Sequence, residues 1–339
     1  MLPIYNEEQT LPELRRRMSA VLDRLDGAAE VIMVDDGSRD RSYALMQDIH
    51  QTDPRFKIIQ FSRNFGHQLA ITAGMDFAVG AAIIVMDADL QDPPEVVLEM
   101  AARWREGYEV VYAVREEREG ETWFKRKAAE VFYKIQRRLA NIDIPVNVGD
   151  FRLVDRKALD AFLSLRENNR YVRGMFSWIG FKQTGVTFVR SSRYAGTPQY
   201  TFLKSLKLAI DALISFSYAP LRLALTLGLL VSLLSVLYGF FAIGYRLVGG
   251  AVPGWTSLVA LVSFLGGLQL LVLGVIAEYL GRIYDEVKDR PLYIVRETGG
   301  FTLTNSAWPH RAVTQDATFQ RGRQAEVAVT QSAPPTHRA

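Results

Sequence analysis

Ala81-Ala-Ile-Ile-Val-Met86, followed at once by Asp87-Ala-Asp89-Leu-Gln91, is the stretch whose reading decides the fold. A short apolar run bounded by polar residues reads as a buried strand. Here it ends in two carboxylates at i and i+2. Such acids can converge on one hard cation, because Mg²⁺ or Mn²⁺ takes oxygen ligands and often shares them with phosphate. Glu30-Val-Ile-Met-Val34 leads in the same way into Asp35-Asp36. Asp is also a good helix N-cap, so either pair alone could serve only to start a helix. Two acid clusters at two strand ends point further, to an α/β site for a metal-bound, phosphate-bearing ligand.

The surrounding pattern supports that reading. Leu11, Leu14, Met18, Val21, Leu22 and Leu25 recur at helical spacing within Glu7–Leu25. Strands are expected at Val31–Val34, Lys57–Phe61, Ile83–Met86 and Glu109–Ala113, and helices at Ser42–Gln51, His67–Ala78 and Glu95–Glu106. Alternating strands and helices predict a mostly parallel, doubly wound sheet with helices on both faces. Ligands of such sheets sit at the carboxyl ends of strands, where both Asp pairs fall.

The remainder changes character. Thr122–Leu139 reads as a basic amphipathic helix, with Lys125, Arg126, Lys127, Lys134, Arg137 and Arg138 set among Trp123, Phe124, Phe132 and Tyr133. Such helices suit an anionic membrane surface, although an ordinary solvated helix has a similar pattern. No charged residue lies between Arg222 and Arg246, or between Arg246 and Glu278. Each segment is long enough for a transmembrane helix, with Pro253-Gly254 as a break. Arg193, Lys204, Lys207 and Arg222 precede the first span, and Arg282, Lys288 and Arg290 follow the second. The positive-inside rule then places both ends in the cytoplasm.

The expected organisation is a cytoplasmic catalytic domain over residues 1–200 and a juxtamembrane amphipathic helix over 201–218. A two-span hairpin over 219–281 and a short cytoplasmic strand segment over 282–300 follow, then a disordered tail over 301–339. Leu203, Leu206, Ile210 and Leu213 share one face of the juxtamembrane helix. Pro291–Arg296 reads as a strand that pairs with a sheet edge of its own chain or of a neighbour.

Composition sets further bounds. The 339 residues carry a net charge of +3, too little to argue for nucleic acid, and no cysteine. Disulfides and thiolate metal sites are therefore excluded. Met1–Glu8 lacks the basic start and apolar stretch of a signal peptide. Leu2–Tyr5 reads as the end of a strand whose beginning is missing, which suggests a truncated start. A dehydrogenase is disfavoured, because no Gly-x-Gly-x-x-Gly follows the early strands.

Five motifs occur in order: Pro3-Ile-Tyr-Asn-Glu-Glu8, Val34-Asp-Asp-Gly-Ser38, Asn64-Phe-Gly-His-Gln68, Asp87-Ala-Asp-Leu-Gln-Asp-Pro-Pro94 and Asn147-Val-Gly-Asp-Phe-Arg-Leu153. Together with the hairpin, they resemble the inverting GT-A glycosyltransferases of family 2. Within that family they look like the polyisoprenyl-phosphate sugar transferases, which include dolichol-phosphate mannose synthases and bactoprenol glucosyltransferases. The resemblance covers residues 1–295. It implies a Rossmann-like GT-A fold and transfer of a hexose, glucose foremost, from a UDP-sugar to polyisoprenyl phosphate.

Site roles follow from the same resemblance. Pro3, Tyr5, Asn6, Glu7 and Asp36 would line the nucleotide pocket, with Asn64, Asp87 and Arg193 also on the donor. Asp89, Asp87 and Gln91 would hold Mg²⁺ or Mn²⁺. Arg115, Lys125 and Arg126 would grip the acceptor phosphate. Asp150 matches the position where hydroxyl-acceptor relatives keep their base, and here it would orient the sugar or Arg152. The implied partners are a UDP-sugar, polyisoprenyl phosphate, the bilayer and a second copy of the chain. One departure stands out: the family's Arg-x-Ala-Gly-Glu-Ser-Lys-Tyr is here Arg193-Tyr-Ala-Gly-Thr-Pro-Gln-Tyr200, so a lysine has become Gln199. Competing readings are a processive polysaccharide synthase, which lacks support without a Gln-x-x-Arg-Trp motif or further spans, and a non-catalytic nucleotide-sugar-binding membrane protein.

Overall fold

A computed structural model describes residues 1–116, 148–189, 219–248, 254–301 and 312–314. It divides into two compact units, the first formed by 1–133, 142–199 and 290–339 and the second by 134–141 and 200–289.

The first unit is an α/β domain. Its first sheet has the order β1-β2-β3-β8-β9, from β1 (Leu2–Ile4), β2 (Val31–Asp35), β3 (Phe56–Phe61), β8 (Tyr293–Gly299) and β9 (Ala312–Thr314). The second has the order β4-β6-β5-β7, from β4 (Ala82–Val85), β5 (Val110–Arg115), β6 (Val148–Asp155) and β7 (Gln183–Phe188). The Met86 N–H donates to the Met1 carbonyl at 3.2 Å, which joins the sheets along β1 and β4. β1, β2 and β3 run parallel, as do β5 and β7. Reversed strands include β6, antiparallel to β4 and β5, and β8, antiparallel to β3. Both lie outside the regular strand–helix alternation of the first 115 residues, so nothing obliges them to run parallel.

Helices α1 (Leu11–Leu22), α2 (Ser42–Thr52), α3 (His67–Phe77) and α4 (Val96–Arg105) connect the early strands. α1 buries Leu11, Leu14, Val21 and Leu22 against one core cluster, which also contains Leu2, Met33, Met86 and Leu153. A second cluster, with Ile32, Val34, Phe61, Ala70, Phe77, Tyr293 and Val295, lies under α3 and β8. Two short helices complete the described domain, α5 (Arg156–Ser164) and α6 (Val172–Trp178). Asp155 caps α5 by accepting the Lys157 N–H at 2.9 Å.

Three differences from the sequence reading have local causes. α1 starts four residues later than expected, because Glu7 to Thr10 form a turn tied to the loop after β2 and to the first residue of α2. There the Glu7 N–H donates to Ser42 Oγ at 2.8 Å and Asp40 accepts the Glu8 N–H at 3.2 Å. β5 runs two residues further than expected, because its pairing with β7 continues to Arg115 opposite Phe188. Arg115 is thus the last residue of the strand rather than just beyond it. Within the segment expected to be a disordered tail, Ala312–Thr314 pairs with β8 as β9.

The second unit contains α7 (Ala219–Leu247) and α8 (Trp255–Val287). Pro220–Phe241 and Phe264–Val287 are long and apolar enough to cross a bilayer, and almost none of their residues are buried. An apolar helix that hides almost none of its surface inside the protein is suited to lipid rather than to a soluble core.

Candidate active site

The carboxyl ends of β1, β2 and β4 meet β6 and α6 at the candidate site, and each local sequence explains how its side chain is delivered. After β1, Asn6 has φ +56°. Its Oδ1 accepts the Arg39 N–H at 2.8 Å and its own N–H donates to Ser38 Oγ at 3.1 Å. Asn tolerates this left-handed conformation better than most residues. The loops after β1 and β2 are thereby zipped into one rim that carries Tyr5, Asn6 and Glu7. Pro3 is buried in β1 behind it.

Asp36 is buried, and its carboxylate is already engaged. Asp36 Oδ1 accepts the Phe65 N–H at 2.7 Å, and Oδ2 accepts the Gly66 N–H at 3.0 Å. Burial raises its pKa against the pull of these two donors. What Asp36 does structurally is fix the Asn64–His67 loop, while Asn64 itself is exposed. The same close approach explains Gly37. It has φ +71°, and a Cβ there would lie 2.7 Å from the Asn64 nitrogen, a backbone clash that no rotamer relieves.

After β4, Leu90 has φ +57° although its side chain is buried. A left-handed leucine is uncommon and costs about 1 kcal/mol or more. The turn it makes places Asp89 and Gln91 on either side, with Asp89 Oδ1 accepting the Gln91 N–H at 3.0 Å. Asp87 Oδ1 is buried and makes no hydrogen bond. His67 Nε2 stands 3.4 Å from it. Burial raises the Asp87 pKa, and the neighbouring Asp150 and Asp89 charges add to the rise. A carboxylate in that position gains from an added cation. Among the described residues no three His, Asp or Glu side chains form a ready-made metal cage. An Asp87–Asp89 pair with a side-chain amide nevertheless fits a hard divalent ion that keeps water or substrate phosphate among its ligands.

Asp150 is brought in by an irregular strand. Tyr112 of β5 pairs with Arg152 and Val114 with Val148, so Gly149, Asp150 and Phe151 together face the single residue Ala113. Bulges of this kind re-aim side chains beside active sites. Arg173 of α6 grips the Asp150 carboxylate with both ends of its guanidinium, Nε to Oδ1 at 2.9 Å and Nη2 to Oδ2 at 3.1 Å. His67 Nε2 lies 3.4 Å from Asp150 Oδ2, so His67 stands between Asp150 and Asp87. Burial alone would raise the Asp150 pKa. The Arg173, His67 and Arg152 charges outweigh it and hold the group far below the usual carboxylate range. Arg152 is buried behind, donating to the Gly149 and Asp150 carbonyls at 2.9 and 3.3 Å and lying over the Phe176 ring. Burial lowers its pKa to about 10.

Of the residues singled out from sequence, Asp87 and Asp150 converge through His67. Asp89 and Gln91 flank Leu90 in the turn after Asp87, and Arg115 ends β5. Lys125, Arg126, Arg193 and Gln199 lie outside the described residues. His67, Asp92, Gly149 and Arg173 received no role from the sequence reading. Three of them stand inside quoted motifs, but Arg173 has no local signal. Its relation to Asp150 comes from packing across 23 positions of sequence.

The class is therefore an α/β enzyme with acid-lined strand ends, carried on a chain with two bilayer-length helices. Residues 1–163 match glycosyl transferase family 2. The chain is 51% identical over 301 residues to the uncharacterized glycosyltransferase YkcC of Bacillus subtilis, covering 88% of this chain and 93% of that one. It is 38% identical over 299 residues to the bactoprenol glucosyl transferase of Shigella phage SfII, covering 88% and 97%. Among solved structures, glucosyl-3-phosphoglycerate synthase of Mycobacterium tuberculosis is a distant likeness, with a TM-score of 0.46 and 17% identity over 63% of this chain and 76% of that one. This chain belongs to glycosyltransferase family 2: it is a membrane-associated glycosyltransferase of the GT-A fold.

Proposed function

We propose that the protein transfers a hexose, with UDP-glucose as the favoured donor, to polyisoprenyl (undecaprenyl) phosphate at the cytoplasmic membrane face, inverting the anomeric carbon. The observation that carries this is the state of Asp150. A hydroxyl acceptor needs a base to remove its proton. Asp150 holds the position the resemblance gives to that base, yet it is locked in a bidentate pair with Arg173 and is a poor proton acceptor. An acceptor that arrives already ionised fits such a site. A phosphate monoester is mostly a dianion at pH 7, since its second pKa is near 6. The two apolar helices and the name of the SfII relative support a lipid as its carrier.

In this reading the acceptor oxygen attacks C1 from the face opposite the nucleotide. The C1–O bond breaks and its electron pair leaves with the diphosphate, and no proton need move. Asp87, Asp89 and Gln91 would hold Mg²⁺ or Mn²⁺, whose chemistry when bound is neutralisation of the diphosphate leaving group. Tyr5, Asn6, Glu7, Asn64 and Arg193 would bind the nucleotide-sugar, with Pro3 and Asp36 shaping the pocket. Arg115, with Lys125 and Arg126, would take the acceptor phosphate, since arginine suits bidentate phosphate contacts. Asp150 and His67 would orient the sugar between the two anions. Exchange of β8 between protomers would give a homo-oligomer, measurable as protein mass in detergent.

Membranes containing Asp89→Ala, supplied with labelled UDP-glucose and undecaprenyl phosphate, should form no labelled lipid. Full activity in this variant would remove Asp89 from the site. A panel of nucleotide-sugars against the same acceptor identifies the sugar, and wild-type binding of all donors without turnover would overturn the enzymatic assignment to this acceptor.

A further inference from the structure

The place of Arg115 depends on two residues that the reaction scheme leaves without a role. Arg115 Nη2 lies 3.8 Å from Asp92 Oδ1. Asp92 is fully buried, whereas the Arg115 side chain is 26% exposed. The guanidinium therefore reaches a buried acid while part of the side chain stays exposed. That acid is the one after Gln91, in the turn that carries Asp89. Gly149, in the bulge of β6, lies against the same guanidinium. A Cβ there would fall 2.6 Å from Arg115 Nη2 and 3.2 Å from Cζ. The guanidinium rests directly on the Gly149 backbone, in a space that only glycine leaves free.

The identity of the clashing atoms matters. At Gly37 the obstacle to a side chain is backbone, and a substitution would disturb the fold. At Gly149 all three of the nearest atoms belong to the end of one flexible side chain. An added methyl group can be accommodated by turning Arg115 out of its seat, with the strand left in place.

We propose that Gly149 and Asp92 are positioning residues that seat the Arg115 guanidinium for the acceptor phosphate. Gly149 supplies the flat floor and Asp92 the fixed counter-charge. A buried carboxylate near 4 Å is near enough to orient an arginine electrostatically. At that distance it does not take up the donors in a tight bidentate pair, so they stay available to a phosphate. The arrangement also ties the acceptor cation to the turn that bears Asp89. This inference rests on the proposed role of Arg115, and the test separates the two.

The experiment uses the full-length enzyme in detergent, with undecaprenyl phosphate and labelled UDP-glucose, and measures KM for each substrate. Arg115→Gln should raise the acceptor KM about tenfold or more, the loss expected for a charge-assisted hydrogen bond. Gly149→Ala should raise it by a similar factor, with the donor KM held and the thermal unfolding midpoint near wild type. Asp92→Asn should act in the same direction. In the Arg115→Gln background, adding Gly149→Ala should change the acceptor KM no further, because both act through one group. If Arg115→Gln leaves the acceptor KM unchanged, the phosphate role of Arg115 fails. If Arg115→Gln raises it but Gly149→Ala does not, or the two effects multiply, the seat proposed here fails while that role stands.

Discussion

At the scale of single residues, the Asp150–Arg173 pair decides how the site behaves toward protons. Asp150 is buried with its negative charge intact because Arg173 answers both oxygens. Removing one partner of such a pair leaves an uncompensated charge and typically costs about 3–5 kcal/mol. Arg173→Gln should therefore lower stability by about 3 kcal/mol, seen as a lower midpoint in thermal or denaturant unfolding, and should nearly abolish transfer. Arg173→Lys, which keeps charge but not the fork, should fall between. The depressed Asp150 pKa also fixes a pH dependence. Its contribution is fully present above the unfolded value of about 3.9 and is lost as pH falls through the acid range below it. Wild type should then lose stability steeply below about pH 4, and Arg173→Gln should show a shallower acid limb. An equally steep limb in the variant would show that other carboxylates dominate. Much of this site was legible in the chain itself, since Asp87, Asp89 and Asp150 stand in short motifs. Arg173 was not, because an arginine in Tyr171-Val-Arg173 looks like any solvated helix charge until α6 packs against β6.

Elements show the same division between local pattern and long-range pairing. The apolar alternation of Pro291–Arg296 was enough to expect a strand, but its sequence could not name the partner. The structure sets it beside β3 as β8, through side chains far away in sequence. The Tyr293 ring stacks on Phe61 with centroids 5.1 Å apart, and its hydroxyl donates to Asp76 at 2.8 Å. Asp76 Oδ1 in turn lies 3.3 Å from Arg166 Nη1, just after α5. Burial raises the Asp76 pKa, so this acid relies on its partners to stay ionised. Tyr293→Phe keeps the ring and should cost about 1 kcal/mol, the net value of one hydrogen bond. Tyr293→Ala opens the core under α3 as well and should cost about 3–5 kcal/mol. Equal losses in the two variants, by unfolding of the detergent-solubilised protein, would mean that the hydroxyl and not the ring anchors β8. The bulge in β6 was likewise invisible beforehand. Only the pairing of β5 with β6 reveals that three residues face one, which is what turns Asp150 and Gly149 toward the site.

For the whole molecule, the pairing of β8 turns chain connectivity into a statement about the membrane. β7, which precedes α7 in the chain, belongs to the α/β unit, and so does β8, which follows α8 and bonds to β3. Strands that share hydrogen bonds cannot lie on opposite sides of a bilayer, so any crossings made by the segment between them must be even in number. Two spans satisfy that requirement and one does not. In sequence, Arg222 stands near the start of the first helix and Arg282, Lys288 and Arg290 near or beyond the end of the second, so the positive-inside rule predicts a cytoplasmic α/β unit. The absence of cysteine from the whole sequence makes this measurable without background. Single substitutions Ala251→Cys, between the helices, and Gln331→Cys, near the carboxyl end, would be probed in intact cells with a membrane-impermeant maleimide. Ala251→Cys should react in intact cells, whereas Gln331→Cys should react only after permeabilisation. The reverse pattern would overturn the orientation, and labelling of both sites in intact cells would overturn the two-span hairpin itself.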